Sequence, residues 1–292
     1  MSWLQLELET NQTHAEELSA LLEQLGAISV SLTASSSEPV FDESDNGNTF
    51  WERTKLSVLL NSKCNIDNLL IQLHSHVGSN AIYSHNIKFL EDKDWVNEFK
   101  SKYQPIFFSN KICISPSWRE PSKNKIATIV LDPGLAFGTG AHPTTSLCIE
   151  WFCKNDINNK IVIDYGCGSG ILAMVAVKFG AKKVFAIDID EQALNTTREN
   201  IEQNKLQENI LVCHPENAVI PKADILVANI LQNPLKKLLK EFSSLTKPGS
   251  HIILSGLLST QTKECLAVYG THFNMDEPVL RKSWASLHGV RL

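Results

Sequence analysis

Hydrophobic and polar residues alternate at the start of the chain, and the spacing then becomes helical. Leu4, Leu6 and Leu8 alternate with polar residues, which predicts a half-buried strand. Leucines spaced three or four apart follow, and Thr13 is the predicted N-cap of a capping box at the start of this helix. Three further alternating segments and a second helical stripe give the order β-α-β-β-α-β. The pattern predicts a small α+β ferredoxin-like domain over residues 1–90.

The second half of the chain contains continuous apolar runs, which are typical of strands buried on both faces. These runs cover residues 161–163, 184–187 and 225–228, and helical stretches lie between them. Alternation of strand and helix predicts an α/β fold with a doubly wound, mostly parallel sheet. Two closing strands, at about 273–280 and 283–291, are predicted to form a hairpin.

Between these parts lies a charged segment that is followed by prolines. We predict a linker over residues 91–115, with a short helix capped by Asp94, and a larger domain over residues 116–292. A segment rich in Ser, Asp and Asn, at about residues 35–48, has the composition of a loop.

The residues after the run 161–163 have the composition of a ligand-binding turn. Gly166, Gly168 and Gly170 lie two residues apart between a predicted strand and a predicted helix. Glycines allow a backbone to bend sharply and to approach a ligand closely. The spacing differs from a dinucleotide fingerprint, and the chain contains no P-loop motif. Asp188 ends the next strand, where a carboxylate can bind both ribose hydroxyls, so the turn predicts a nucleoside site without a pyrophosphate.

Three further residues are candidates for this site. Thr145 lies in a loop rich in Gly and Thr at a helix start, where hydroxyl and N–H groups suit an amino-acid ligand. Asn229 falls at the carboxyl end of a buried strand, the edge where open α/β sheets bind ligands. Its carboxamide can accept from an amine, although a turn-capping role is the alternative. We interpret His142 as structural rather than catalytic, and Cys167 as a small turn residue.

Composition limits the function classes. Apolar residues make up 43% and charged residues 20%, as in ordinary soluble proteins, and no apolar run is long enough to span a membrane. Seven cysteines without a C-x-x-C pair, and no signal sequence, favour a reducing cytoplasmic compartment. The net charge of −5 argues against broad nucleic-acid binding. No metal-ligand cluster and no nucleophile–base pair is found.

Five segments together form a recognisable pattern. They are Glu91-Asp92-Lys93-Asp94-Trp95, Pro116-Ser117-Trp118-Arg119, Asp132-Pro133-Gly134-Leu135-Ala136-Phe137-Gly138-Thr139-Gly140-x-His142-Pro143-Thr144-Thr145, Asp164-x-Gly166-Cys167-Gly168-Ser169-Gly170 and Asp224-x-x-Val227-Ala228-Asn229-Ile230-Leu231. These segments resemble the bacterial ribosomal protein L11 methyltransferases, and the resemblance covers the whole chain. Three residues depart from the usual pattern: Ala141 replaces a threonine, and Gln232-Asn233 replaces small residues.

The resemblance implies a seven-stranded Rossmann-like methyltransferase sheet that binds S-adenosyl-L-methionine. It places Thr145 at the methionine end of the cofactor, Gly166 and Gly168 beneath it, Asp188 on its ribose, and Asn229 in the methyl-transfer pocket. Methyl groups would pass to lysine and N-terminal amines of ribosomal protein L11, free or on the large subunit, and the N-terminal domain would hold that protein. We expect a cytoplasmic monomer that binds neither DNA nor membranes.

Two alternatives remain open at this point. A nucleic-acid methyltransferase acting on an exocyclic amine also uses Asn at this strand end, but usually with Pro-Pro and an aromatic residue after it. Here Ile230-Leu231-Gln232 follows Asn229. The other alternative is a ribosome-assembly binding module that holds the cofactor only as a structural ligand. No catalytic acid, base or nucleophile is assigned from the sequence.

Overall fold

The computed structural model describes residues 3–35, 51–78, 80–90, 100–101, 103–119, 126–133, 140–216 and 219–292. The chain divides into two compact units, Met1–Phe99 and Lys100–Leu292. The predicted loop at 35–48, apart from Ser35, and the predicted helix start at Asp94 lie outside the described residues, as do residues 134–139 of the Gly- and Thr-rich loop. No helix in the described ranges is long and apolar enough to cross a bilayer.

The first unit is an antiparallel sheet with two helices. Its sheet order is β2-β3-β1-β4, the order of a ferredoxin-like fold. Leu4, Leu6 and Leu8 are buried against Leu18 and Leu22 of the first helix, as the alternation predicts. The elements are β1 (Trp3–Asn11), α1 (Gln12–Gln24), β2 (Ser29–Ala34), β3 (Arg53–Asn61), α2 (Ile66–Val77) and β4 (Ile82–Leu90).

The predicted cap of α1 is wrong by two residues. Asn11, not Thr13, is the N-cap, and its Oδ1 accepts from the backbone N–H of His14 at 3.1 Å. The His14 ring nitrogen Nδ1 lies 2.8 Å from the same oxygen. Because Asn11 is also the last residue of β1, strand and helix are joined without a loop.

The second unit begins with a small sheet. It consists of β5 (Ile106–Phe108), β6 (Ile112–Ser115) and β7 (Ala127–Val130). Ile112 and Ile114 are buried in the core of this unit, so the chain joins the larger unit well before residue 116. The predicted linker 91–115 is therefore too long at its C-terminal end, because β5 and β6 pair with each other and β6 pairs with β7.

The main sheet is mostly parallel, with the order β10-β9-β8-β11-β12-β15-β13. The first five strands are parallel, and β15 is antiparallel to β12 and β13. An eighth strand, β14, also pairs with β15, because Pro278 interrupts the strand predicted over 273–280. The strands are β8 (Ile161–Tyr165), β9 (Lys183–Ile187), β10 (Ile210–Cys213), β11 (Ala223–Asn229), β12 (Thr246–Leu258), β13 (Phe273–Met275), β14 (Val279–Arg281) and β15 (Trp284–Arg291).

Helices cover both faces of this sheet, which confirms the doubly wound α/β prediction. One core contains side chains of α3, α4 and α5, and the other contains side chains of α6, α7 and α8. The helices are α3 (Pro143–Lys154), α4 (Ile171–Lys178), α5 (Glu191–Gln203), α6 (Gln232–Lys237), α7 (Leu239–Leu245) and α8 (Thr262–Tyr269), with a 3₁₀ turn at Ser259–Gln261. The carboxyl ends of five parallel strands therefore lie at one edge, where ligands bind in such sheets.

Candidate functional site

A cavity of about 660 Å³ lies at the carboxyl edge of the main sheet. All five residues predicted from the sequence as ligand contacts line this cavity. They come from the start of α3, from the turn after β8, and from the ends of β9 and β11. They are Thr145, Gly166, Gly168, Asp188 and Asn229.

The turn after β8 brings the backbone to the cavity without a side chain. Gly166 has φ +78°, and the backbone N–H groups of Gly166 and Cys167 both donate to the carbonyl of Ile187, at 2.8 and 3.0 Å. A Cβ on Gly166 would overlap the Cγ2 atom of Ile230. Glycine is therefore required here both by the backbone conformation and by the space between β8 and β11.

Two backbone N–H groups hold the carboxylate of Asp188 in place. Its Oδ2 accepts from the backbone N–H of Gly168 at 3.0 Å, and its Oδ1 accepts from that of Asp190 at 3.1 Å. Each oxygen of an ionised carboxylate can accept about two hydrogen bonds. One acceptor position on each oxygen thus remains, and because Asp188 lines the cavity, two vicinal hydroxyl groups can be bound there.

The side chains of Asn229 and Thr145, which both line the cavity, are joined by a hydrogen bond. The Asn229 side-chain Nδ2 donates to the hydroxyl of Thr145 at 3.2 Å. Thr145 is fully buried. The Oδ1 atom of Asn229 is buried as well and accepts no hydrogen bond from the described residues. A buried carbonyl without a donor is costly, so this oxygen marks a place where a ligand N–H or O–H group is missing.

Asp164, two residues before Gly166 in β8, contributes a second such oxygen. Its Oδ2 accepts from the backbone N–H of Ala173 at 2.9 Å, whereas its Oδ1 is buried without a partner among the described residues. Burial raises the pKa of this carboxyl to about 7. The sequence identified Asp164 as part of the motif but gave it no role.

His142 has a structural position, as expected from the sequence. It is the N-cap of α3, where its Nδ1 accepts from the backbone N–H of Thr144 at 3.4 Å and lies 2.7 Å from the Thr144 hydroxyl. Its ring also contacts Trp284 edge to face, with centroids 4.7 Å apart. Burial lowers the pKa of the imidazole, so the neutral ring can act as the acceptor of this cap.

Cys167 also has the place of a turn residue. Its Sγ lies 3.4 Å from the hydroxyl of Thr197, and this hydroxyl donates to the carbonyl of Gly168 at 2.8 Å. Burial raises the pKa of the thiol far above its usual range. A protonated thiol is a poor nucleophile, so the residue stabilises the turn and does not form a covalent intermediate.

Sequence reasoning missed most of the apolar walls of the cavity. Ile189 follows Asp188 and is 74% exposed, which is unusual for so apolar a side chain. Ile230, Pro234 and Leu238 line the opposite side. The sequence contains a signal for two of these residues, because Ile189 directly follows Asp188 and Ile230 directly follows Asn229, each at a strand end. Among the residues the structure describes, no group of His, Cys, Asp and Glu side chains is arranged to hold a metal.

The chain is similar to known proteins over its full length. The family model described as ribosomal protein L11 methyltransferase matches residues 2–292. Proteins named ribosomal protein L11 methyltransferase from Shewanella woodyi and Shewanella amazonensis are 41% and 39% identical to the chain. The alignments cover all of this chain in both cases, with 100% and 99% of the relatives.

A solved structure supports the same relationship. The crystal structure of a ribosomal protein L11 methylase from Lactobacillus delbrueckii subsp. bulgaricus is 33% identical and aligns with a TM-score of 0.58. The alignment covers 65% of this chain and 99% of that one. The chain therefore belongs to the ribosomal protein L11 methyltransferase family, and it is an enzyme of the methyltransferase class.

Proposed function

We propose that the enzyme transfers methyl groups from S-adenosyl-L-methionine to lysine and N-terminal amines of ribosomal protein L11. The family membership supports the reaction class and the substrate. The observation that supports the amine chemistry is the Oδ1 of Asn229, which has no partner among the described residues and can accept from an amine N–H group.

The residues of the cavity fit this cofactor. Gly166 and Gly168 line the cavity where an adenosyl group would lie, and within the described residues each oxygen of Asp188 accepts one hydrogen bond, which leaves a position for each ribose hydroxyl. Thr145 would lie at the methionine end and Asn229 beside the methyl group. When bound, the cofactor supplies a methyl group activated by attachment to a sulfonium.

The protein must deliver a neutral amine in line with that methyl group. A free lysine has a pKa of about 10.4, and an apolar surrounding disfavours its charged form. Ile230, Pro234 and Leu238 supply such a surrounding next to Asn229. The Asn229 carboxamide would accept from the amine N–H and so orient the lone pair, while its own N–H bond to Thr145 fixes the carboxamide.

The N-terminal unit is proposed to hold the ribosomal protein. We also propose a cytoplasmic monomer without DNA or membrane partners. All seven cysteines are free thiols, and six of them are buried, which supports a reducing compartment. The nucleic-acid methyltransferase and the assembly module are less well supported, since the family is named for a protein substrate.

Labelled S-adenosyl-L-methionine and purified ribosomal protein L11 test the proposal. Asn229→Ala should lower turnover by about 100-fold, because the amine loses its orientation, while binding of ribosomal protein L11 is retained. Asn195→Ala, an exposed change on α5, is the control and should leave turnover unchanged. Unchanged turnover for Asn229→Ala would remove Asn229 from the mechanism. If label appeared on another protein after incubation with total ribosomal proteins, the assignment of ribosomal protein L11 as the substrate would be refuted.

A further inference from the structure

Four neighbouring parallel strands of the main sheet each begin beside a lysine. Lys183 is the first residue of β9, Lys160 directly precedes β8, Lys222 directly precedes β11, and Lys247 is the second residue of β12. Lys182 adds a fifth cation next to Lys183. These five residues are called the amino-edge lysine row, since they follow the strand order β9-β8-β11-β12.

The strand pairing keeps the row nearly straight. Lys183 pairs with Ile161, the residue after Lys160, and the backbone N–H of Lys182 donates to the carbonyl of Lys160 at 2.8 Å. Neighbouring strands lie about 4.8 Å apart, so the four strand starts span roughly 14 Å. The backbone positions of the row therefore follow the sheet edge opposite the cofactor cavity, with side chains on both faces of the sheet.

Little of this charge is neutralised within the protein. Asp224 pairs with Lys247 at 2.7 Å, and Lys183 donates to the backbone carbonyl of Glu208 at 2.8 Å. Lys160, Lys182 and Lys222 are exposed, and their ammonium groups form no hydrogen bond or ion pair within the described ranges. Helices also end at this edge of the sheet, and α4 (Ile171–Lys178) ends four residues before Lys182, so part of this charge complements the negative ends of helices.

Aromatic rings lie beside one part of the row. The rings of Trp151, His251 and His288 form a contiguous group, with Trp151 centred 5.5 Å from His251 and 5.3 Å from His288. His251 Nδ1 lies 3.0 Å from His288 Nε2. His251 follows Lys247 by four residues on β12, which places this group near the row, and His288 Nδ1 lies 2.5 Å from the Asp276 carboxylate. Aromatic rings beside cations are a usual means of binding single-stranded nucleic acid.

We propose that the amino-edge lysine row binds the phosphate backbone of RNA. The row suits a chain of phosphates, because three of its cations, Lys160, Lys182 and Lys222, form no ion pair within the described ranges. Because the row and the cavity lie at opposite edges of the sheet, bound RNA would leave the cavity open.

Fluorescence anisotropy with a labelled single-stranded RNA of about 20 nucleotides tests the proposal over a range of salt concentrations. Four uncompensated lysines predict a slope of log K against log salt of about −3, since each phosphate contact on a single strand contributes about −0.7. The triple variant Lys160→Gln, Lys182→Gln, Lys222→Gln should have a slope near about −1 and bind at least about 10-fold more weakly at low salt.

A second triple variant controls for net charge. Lys240→Gln, Lys263→Gln, Lys282→Gln changes three exposed lysines outside the row and should bind RNA as the wild type does. Both variants should methylate the free protein substrate at the wild-type rate, which reports on folding. Absence of RNA binding at low salt, or equal affinity of the two variants, would overturn the proposal. Binding to vesicles of anionic lipid but not to RNA would also overturn it and assign the row to a membrane surface.

Discussion

The peptide of Ile230 passes directly over Gly256. A Cβ on Gly256 would lie 2.7 Å from the carbonyl carbon and 3.0 Å from the nitrogen of Ile230. Gly256 lies in β12, and Ile230 directly follows Asn229 at the end of β11. The absence of a side chain at Gly256 therefore fixes where the strand end that bears Asn229 can lie.

Gly256→Ala should accordingly destabilise the protein more than Gly249→Ala. Both glycines have positive φ, +86° and +78°, so either alanine costs about 1–2 kcal/mol in a left-handed conformation. Gly249 has no atom within 4 Å of the added methyl group, whereas Gly256→Ala must displace a backbone, at about 1–3 kcal/mol more. Urea unfolding of both variants measures the difference. Equal losses of free energy would show that the Ile230 peptide moves freely.

Stability should depend on pH through Asp164. Its folded pKa is raised to about 7, mainly by burial, whereas an unfolded aspartate has a pKa of about 3.9. Between these values the folded protein holds a proton that the unfolded chain has released. The free energy of unfolding therefore falls as pH rises through this window, by up to about 1.4 kcal/mol per pH unit, and levels off above it.

Asp164→Asn removes this titration and gives the measurement. Urea unfolding at about pH 5 and about pH 7.5 should show that the variant gains stability relative to the wild type at the higher pH. Other titrating groups are common to both proteins and cancel in the comparison. A difference between the two proteins that does not change with pH would mean that Asp164 is ionised throughout.

The cap at His142 should be replaceable by asparagine. Asparagine also accepts from the backbone N–H groups of a first helical turn, whereas His142→Ala loses the cap of α3, at about 1 kcal/mol. For a unit of this size, that corresponds to a melting temperature about 2–4 °C lower. Thermal unfolding measures this difference: His142→Ala should melt at the lower temperature and His142→Asn near the wild type. If His142→Asn retained stability but lost turnover, His142 would have a role in the reaction as well.

Local patterns were enough to predict the elements and the polar residues at strand ends. Asp188 and Asn229 follow buried strands directly, so their place at the sheet edge follows from the period of the sequence and the parallel topology. Asn11 caps α1 instead of Thr13 because the helix begins directly after the last residue of β1, which alternation alone does not show. The end of the linker was also misplaced, since β5 and β6 are short and are stabilised by pairing rather than by pattern.

Features that depend on tertiary contacts could not be predicted. The unpartnered oxygens of Asn229 and Asp164 emerge only when every neighbouring donor is located. The close passage of Ile230 over Gly256 joins two strands that are adjacent only in the sheet. The amino-edge lysine row likewise requires the strand order, because its members are spread over residues 160–247.

Cofactor binding in the proposed site depends most on the carboxylate of Asp188, which would bind the ribose. Calorimetry with S-adenosylhomocysteine measures this without any methyl transfer. Asp188→Ala should bind about 10- to 100-fold more weakly, as expected for lost hydrogen bonds to a charged group. Asp190→Asn is the control. It removes a charge that also lines the cavity but keeps an acceptor for the cap of α5, so it should bind nearly as the wild type does. Equal affinity of Asp188→Ala and the wild type would contradict the proposed site.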